Sequence, residues 1–400
     1  MKKKIAIVGG GACALILACE LDPEKFDVSV FEGNPALGRK FLVAGEGGLN
    51  LTHSENESDF ILRYTPFSFL KNAFSNFSNN DFVKWINGVG IKTYVGSSRR
   101  VFPERGVKPI EVLNAILKKA ERRSKLYLKH RLIDFSMQGH LVFEIEKVKK
   151  EISTDLVIFC LGGASWPVTG STGEWAALFK TKGIKINPFL SSNCSFEIHW
   201  PETIKTKIEG KILKNISITC ENKTHFGEVV LTRFGIEGSG IYPLSPQIRS
   251  QLANQKSAKI HVDFKPGLSL EKIIEKLGKK PQSKNMTEYL KTEIKLSDTQ
   301  MLVLKEFVSK KDYMNVEKLA NTVKKVELVI SATGPLEDAI STVGGVDLSE
   351  IDQYFQLKKF PTNFVIGEML DYDAPTGGYL LQSCFSMGKY LADHLNSHTI

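Results

Sequence analysis

Between Ile5 and Glu32 the hydrophobic pattern changes period twice. Ile5 to Val8 is a continuous apolar run that reads as a strand. Gly9, Gly10 and Gly11 interrupt it, and Ala12 to Leu21 is then apolar almost throughout and reads as a helix. Phe26, Val28 and Val30 alternate with polar residues toward Glu32, the pattern of a second strand. A glycine-rich loop, Gly33 to Glu55, precedes a helical region around Asp59 to Gly88. An amphipathic helix near Lys108 to Arg123 gathers Ile110, Leu113, Ile116 and Leu117 on one face. Short strands are expected around Lys125–Phe135 and Leu141–Glu146, and Leu156 to Cys160 reads as a fully buried strand that ends in Gly162 and Gly163.

From about Asn187 the pattern becomes short alternating segments separated by turn residues: "SFEIHW", "ISITCEN", "HFGEVVLTRFGIEGSGIYPLS" and "KIHVDFKPG". This predicts a small β-barrel or sandwich. Leu268 to about Lys325 turns helical, and strands resume with "VELVISATG". The chain ends as strand, glycine turn and helix in "FVIGEMLDYDAPTGGYLLQSCFSMGKYLADHL". The expected architecture is α/β, with a Rossmann-like nucleotide-binding domain formed by residues 1–187 and 335–400. A β-barrel (188–266 and 324–334) is inserted into it, and a small helical subdomain (267–323) is inserted into the barrel.

The N-terminal letters also fit a lipoprotein signal peptide, with Lys2 to Lys4, an apolar middle and Cys19 after a small residue. A loosely structured polar segment would then follow, whereas "FDVSVFEG" is a strand with an acidic end. Successive glycines also weaken a signal-peptide helix, by roughly 1 kcal/mol each against alanine. The expectation is therefore an unlipidated, cytoplasmic protein that keeps this segment.

Composition is ordinary for a soluble globular chain of 400 residues, 42% hydrophobic and 24% charged. Past the N-terminal stretch no apolar run approaches the ~20 residues that span a membrane, so no membrane partner is expected. The six cysteines form no C-x-x-C pair, which reads as reduced thiols and argues against a disulfide-type flavin reductase. The eight histidines lack metal-ligand spacing, and His53 is expected to hydrogen-bond or lie at the surface rather than act in catalysis. A formal charge of +9 raises a nucleic-acid reading, with the densest basic stretch at Lys118–Arg131. Aromatic residues do not interleave with it as a base-stacking platform requires, so a solvated face is expected there and a nucleic-acid partner is not.

The glycines at the first turn carry specific chemistry. Gly9 permits a tight exit from the strand, Gly11 lets a pyrophosphate approach the backbone, and Ala14 keeps the helix close to the sheet. The helix start offers free N–H groups and a partial positive charge to phosphate. Glu32 stands about 20 residues on, where a dinucleotide fold needs a carboxylate for the adenosine ribose. That carboxylate does not separate NAD from FAD; the C-terminal segment does. In "NFVIGEMLD" an apolar strand runs into Gly367, Glu368 and Asp371, and "PTGGYLLQ" supplies a helix start. FAD enzymes of the glutathione-reductase type end this way, with an acidic side chain for the ribityl hydroxyls and helix N–H groups near flavin N1. "CLGGASWP" marks a return to the cofactor but lacks the spacing of a second dinucleotide fingerprint. A dedicated NAD(P)H domain is therefore not expected; the flavin is either reoxidised by O2 or supplied with electrons by NAD(P)H, and a nicotinamide, if one acts, visits only as a transient electron donor.

Together these stretches resemble the BaiN-like flavoprotein family, the aminoacetone-oxidase-like FAD-binding proteins. The resemblance rests on "GRKFLVAGEGGLNLTHSE", "LGGASWPVTGSTGEWAALF", "GEVVLTRFGIEGSGIYPLS", "VGGVDLSEID" and "GEMLDYDAPTGGYLLQ", in family order over nearly the whole chain. It implies the same three-part architecture, with FAD at Gly9, Gly11, Ala14, Glu32, Arg39, Lys40, Gly45, Asn50, Thr52, Gly163, Glu368, Asp371, Gly377 and Gly378. Ala12, Gly33, Leu51, Ile133, Gly162, Tyr379 and Leu380 complete the candidate cofactor contacts. The chain departs from the family pattern at "GEGGLN", where G-G-G-R-C-N is common, and at "GGYLLQ", where G-G-Y-N is common. Both segments border the flavin, so no member's substrate is carried over. The expected activity is an FAD-dependent oxidoreductase that transfers a hydride between a small organic substrate and flavin N5. An RNA-modifying flavoprotein and a non-catalytic FAD-binding electron relay are the alternatives. Lys40 and Tyr379 are the nearest titratable side chains by motif, and Arg233 is expected either to hold an anionic substrate or to form a surface ion pair.

Overall fold

A computed structural model describes residues 1–43 and 48–398, in two compact units: Met1–Ser191 with Leu336–Ile400, and Ser192–Pro335. The first unit is built on a six-stranded sheet in the order Gln356–Leu357, Phe360–Val365, Leu156–Phe159, Lys3–Val8, Phe26–Phe31, Ser124–Tyr127. The pairings are parallel except at the Gln356–Leu357 edge. Ile5 to Val8 and Leu156 to Phe159 are buried on both faces, which explains their unbroken apolar runs. The helix Ala12–Glu20 is buried from Cys13 through Cys19, packed between this sheet and the C-terminal helix Tyr379–Ser397. The segment that resembles a signal peptide is thus the central strand and an inner helix. No described helix is long and apolar enough to cross a membrane.

Parallel pairing places the carboxyl ends of Lys3–Val8, Phe26–Phe31, Leu156–Phe159 and Phe360–Val365 along one sheet edge. Open α/β sheets bind ligands outside that edge. Gly9, Glu32, Gly162 and Glu368, which sequence spacing selects separately, therefore leave the sheet on the same side.

The helical region expected around Asp59–Gly88 consists of three helices, Glu57–Ile61, Phe67–Asn76 and Asn79–Gly88. Pro66 separates the first two, and a Ser78–Asp81 capping box starts the third. The strand Val148–Ser153 pairs with His140–Ile145 and carries an almost wholly exposed "VKKEIS", so it shows no apolar alternation to read.

The second unit is a closed barrel in the order Phe196–Ile198, Gly235–Glu237, Lys223–Thr232, Ile212–Cys220, Ala258–Asp263, Val326–Thr333. Helices from Leu270 to Lys324 lie between its last two strands in sequence. "GIYPLS" is not strand: it opens the helix Ser245–Gln255, with Pro246 in the first turn and Ile248 and Gln251 buried three residues apart. Arg233 pairs with Glu209 at 3.3 Å on an exposed face of this unit.

Candidate active site

The first turn shows why glycine stands at each position. Gly9 has φ +105°, and a Cβ there would lie 2.3 Å from the Cys160 carbonyl oxygen of the neighbouring strand. Gly11 is different: its backbone is extended, and a Cβ would meet nothing within 4 Å. It opens the helix Ala12–Glu20, which has no side-chain cap. Open space above an uncapped helix start suits an anionic group close to the backbone. Ala12 is half-buried in the first turn, and Ala14 is fully buried toward the sheet.

Glu32 closes this turn from the second strand. One carboxylate oxygen accepts from the Gly10 N–H at 2.7 Å, and the other accepts from the Asn34 backbone and side-chain nitrogens at 2.8 and 2.7 Å. Asn34 Oδ1 in turn accepts from Arg39, whose second nitrogen donates to the Val168 carbonyl at 2.6 Å. Arg39 therefore braces the loop after Gly163 rather than standing free. Glu32→Ala is expected to weaken FAD retention by at least about tenfold, the size of one hydrogen bond to a charged group. Flavin retained after gel filtration tests this, and unchanged affinity would refute the assignment.

A second group brings together residues far apart in sequence. Lys40 Nζ donates to Glu368 Oε2 at 2.7 Å and to Ser165 Oγ at 2.9 Å. The other Glu368 oxygen accepts from the Thr342 N–H at 3.1 Å. Gly163 lies against both, since a Cβ would sit 2.1 Å from Thr342 Oγ1 and 2.9 Å from Glu368 Cδ. Gly162 offers its carbonyl to Trp175 Nε1 at 2.9 Å. Asp371 is held apart from this group by Gly344 N–H and Asn187 Nδ2, at 2.8 and 2.6 Å, one to each oxygen.

The C-terminal glycine turn forms a third group. Gly377 and Gly378 both have φ +99°, and Gly378 opens the helix Tyr379–Ser397 without a side-chain cap. This turn rests on a small sheet of Thr52–His53, Arg100–Pro103 and Thr93–Val95. Thr52 is buried and its hydroxyl donates to Gln382 Oε1 at 2.7 Å. Tyr379 turns inward, where its hydroxyl donates to Glu55, which also binds Arg63 at 2.7 Å. Burial first, and then Glu55, push the Tyr379 phenol well above its ordinary range. Burial opposes charge on Glu55, but hydrogen bonds from Arg63 and Tyr379 outweigh it and hold that carboxyl low. Tyr379 is thus a helix anchor with a poorly acidic hydroxyl. His53 stacks on it, accepts from the Glu55 N–H at 3.2 Å and faces the Ser98 carbonyl, contacts that a neutral ring satisfies.

The remaining candidates are scattered around these groups. Gly33 lies beside Arg131, Ile133 sits at the register shift between Leu132 and Asp134, Leu51 is buried, and Leu380 packs on the core. Gly45 lies outside the described residues. Among the described residues, the buried side-chain atoms without a protein partner include Asn50 Oδ1, Ser171 Oγ beside Gly162, and Nε2 of His130, whose backbone N–H donates to the Glu32 carbonyl. Such orphans await a ligand donor or acceptor. With the open space at Gly11, they fit a cofactor lying across the turn.

Sequence reasoning missed Asn34, Thr342, Ser171 and Arg100. Ser171 lies within one of the resembling stretches, whereas the other three gave no sequence signal. The cysteines also regroup: Cys13 and Cys384 come side by side beneath Gly367. Burial pushes the thiols of Cys13 and Cys160 well up, which keeps them poor nucleophiles. Among the described residues no cluster could hold a metal ion.

A family model described as the HI0933-like protein Rossmann domain matches residues 3–394. A ribosomal RNA dihydrouridine synthase of Haemophilus influenzae is 24% identical over 390 residues, 95% of each chain. A 3-dehydro-bile acid delta(4,6)-reductase of Clostridium scindens is 23% identical over 409 residues, 97% of this chain and 98% of that one. Among solved structures, the open conformation of a flavocytochrome c3 fumarate reductase shares the fold, with a TM-score of 0.53 at 13% identity over 99% of this chain and 78% of that one.

Proposed function

The chain belongs to the HI0933-like Rossmann-domain family and is an FAD-dependent oxidoreductase; we propose that it reduces a carbon–carbon double bond conjugated to a carbonyl in a small organic substrate. The observation that carries the cofactor half is the open, uncapped helix start at Gly11 with Glu32 beside it. The reaction type draws on the two relatives: the names dihydrouridine synthase and delta(4,6)-reductase share saturation of a double bond.

FAD, when bound, supplies the two-electron exchange. The helix Ala12–Glu20 and Glu32 would hold its adenosine and pyrophosphate half. The Lys40–Glu368 pair is fixed from both sides and would orient the ribityl chain. The start of the helix Tyr379–Ser397 would direct N–H groups at the flavin's pyrimidine edge. NAD(P)H would reach the cofactor transiently, because Gly162 and Gly163 lack the spacing of a second dinucleotide site.

A second reading places the double bond in a uracil ring within RNA. The Haemophilus relative's name and the formal charge of +9 favour it. Anaerobic titration decides between them. The purified protein is expected to show a flavin spectrum that bleaches with NADH or NADPH and returns with an α,β-unsaturated ketone, not with its saturated analogue. Return with uridine-containing RNA alone, with steep salt dependence, would replace the small-substrate reading. Failure of every nicotinamide, enone and RNA to change the spectrum would sink both.

A further inference from the structure

Arg100 belongs to no motif and to no predicted contact, yet its position is specific. It opens the strand Arg100–Pro103, in register with Thr52–His53: His53 faces Arg100 and Thr52 faces Val101. The C-terminal glycine turn packs on these same residues. A Cβ on Gly378 would lie 2.6 Å from Thr52 Cα, and one on Gly377 would lie 3.1 Å from Arg100 Nε and 3.7 Å from its Cζ. The guanidinium therefore runs along the turn that opens the helix Tyr379–Ser397.

Arg100 is half-buried, and among the described residues its side chain has no ion pair or hydrogen bond. The buried carboxylate on the same side, Glu55, is already taken by Arg63 and Tyr379. A guanidinium is charged at every accessible pH, and partial burial without a partner is costly. Such a group is retained where an anion arrives. The helix start beside it contributes a further partial positive charge. Reduced flavin gathers its negative charge at N1 and the adjacent carbonyl, the edge this turn would face.

We infer that Arg100 is the cation that stabilises negative charge on the pyrimidine edge of the flavin and so sets its potential. This rests on the reading that the C-terminal glycine turn borders the flavin. Sulfite binding to the oxidised holoenzyme, followed by loss of visible absorbance, reports the same electrostatics without any substrate. Arg100→Gln is expected to weaken sulfite binding by about tenfold or more, the size of one lost hydrogen bond to a charged group. The same factor corresponds to a midpoint potential lower by about 30 mV for a two-electron couple. Arg100→Lys keeps the charge and is expected to keep most of the sulfite affinity. Should the glutamine variant shed its flavin, the lysine variant carries the comparison: near-normal sulfite affinity supports the inference. An equal loss in the lysine variant overturns it, because shape rather than charge would then be the cause. Wild-type affinity and potential in Arg100→Gln also overturn it. If Gly378→Val strips the flavin while Arg100→Gln is silent, only the role of Arg100 fails. If both are silent, the placement of the turn fails as well.

Discussion

Gly378→Val is expected to yield protein with little or no bound flavin and a lower melting temperature. Two independent costs act at this position. Its φ of +99° is a conformation that a β-branched residue adopts only at a cost of order 1–3 kcal/mol. The new Cβ would also stand 2.6 Å from Thr52 Cα and 2.8 Å from the Thr52 C and N atoms. These are backbone atoms in a paired strand, so no rotamer change relieves the contact. The turn must lift off the Thr52–His53 strand, and the start of the helix Tyr379–Ser397 moves with it. The geometry directs the new side chain into the supporting sheet. Flavin loss would thus follow from displacement of the helix start. Flavin-to-protein absorbance ratio and apo-protein melting measure the two parts. Lys279→Ala, at an exposed i,i+4 pair with Glu275, is the control and should change neither. Normal flavin content, spectrum and potential in Gly378→Val would remove the C-terminal segment from the site.

What the chain reveals in advance follows from the range of the interactions. The central strands are legible because burial on both faces forces unbroken apolar runs at Ile5–Val8 and Leu156–Phe159. The barrel is legible where its strands alternate buried and wetter positions, as in Ala258–Asp263 and Val326–Thr333. Val148–Ser153 escapes because its hairpin is solvated. Ser245–Gln255 escapes because Ile248 and Leu252 alone mark its apolar side and its first turn follows a strand-like run. The first glycine turn and Glu32 are legible from spacing within one βαβ unit. The Lys40–Glu368 pair is not, since 328 residues separate its members and no local pattern links them. The same holds for Arg100 against Gly377 and for Cys13 against Cys384. Tyr379 shows the opposite failure: a motif residue with a titratable hydroxyl proves to be buried against Glu55 and Arg63. Motifs mark which segments converge; only the packed sheet edge decides which side chains point into the convergence.

Gly11→Val is expected to abolish FAD binding and leave the apo fold nearly unchanged, and the neighbouring Gly9 makes the reason plain. At Gly9 the backbone is left-handed and a Cβ would overlap the Cys160 carbonyl, so Gly9→Ala should destabilise the apo protein by several kcal/mol. At Gly11 the φ is −81°, open to any residue, and a Cβ meets nothing within 4 Å. The protein itself gives no reason for glycine there beyond a weakened N-cap, worth about 1 kcal/mol. What a valine would fill is the space above the first free N–H groups of the helix Ala12–Glu20. A pyrophosphate excluded from that position loses at least two charge-assisted hydrogen bonds, so FAD affinity should fall by more than about a hundredfold. Melting of the two apo proteins and FAD titration by flavin fluorescence separate the cases. A Gly11→Val protein that binds FAD as tightly as wild type would mean that the cofactor does not lie on this helix, and the assignment of Glu32 would fall with it.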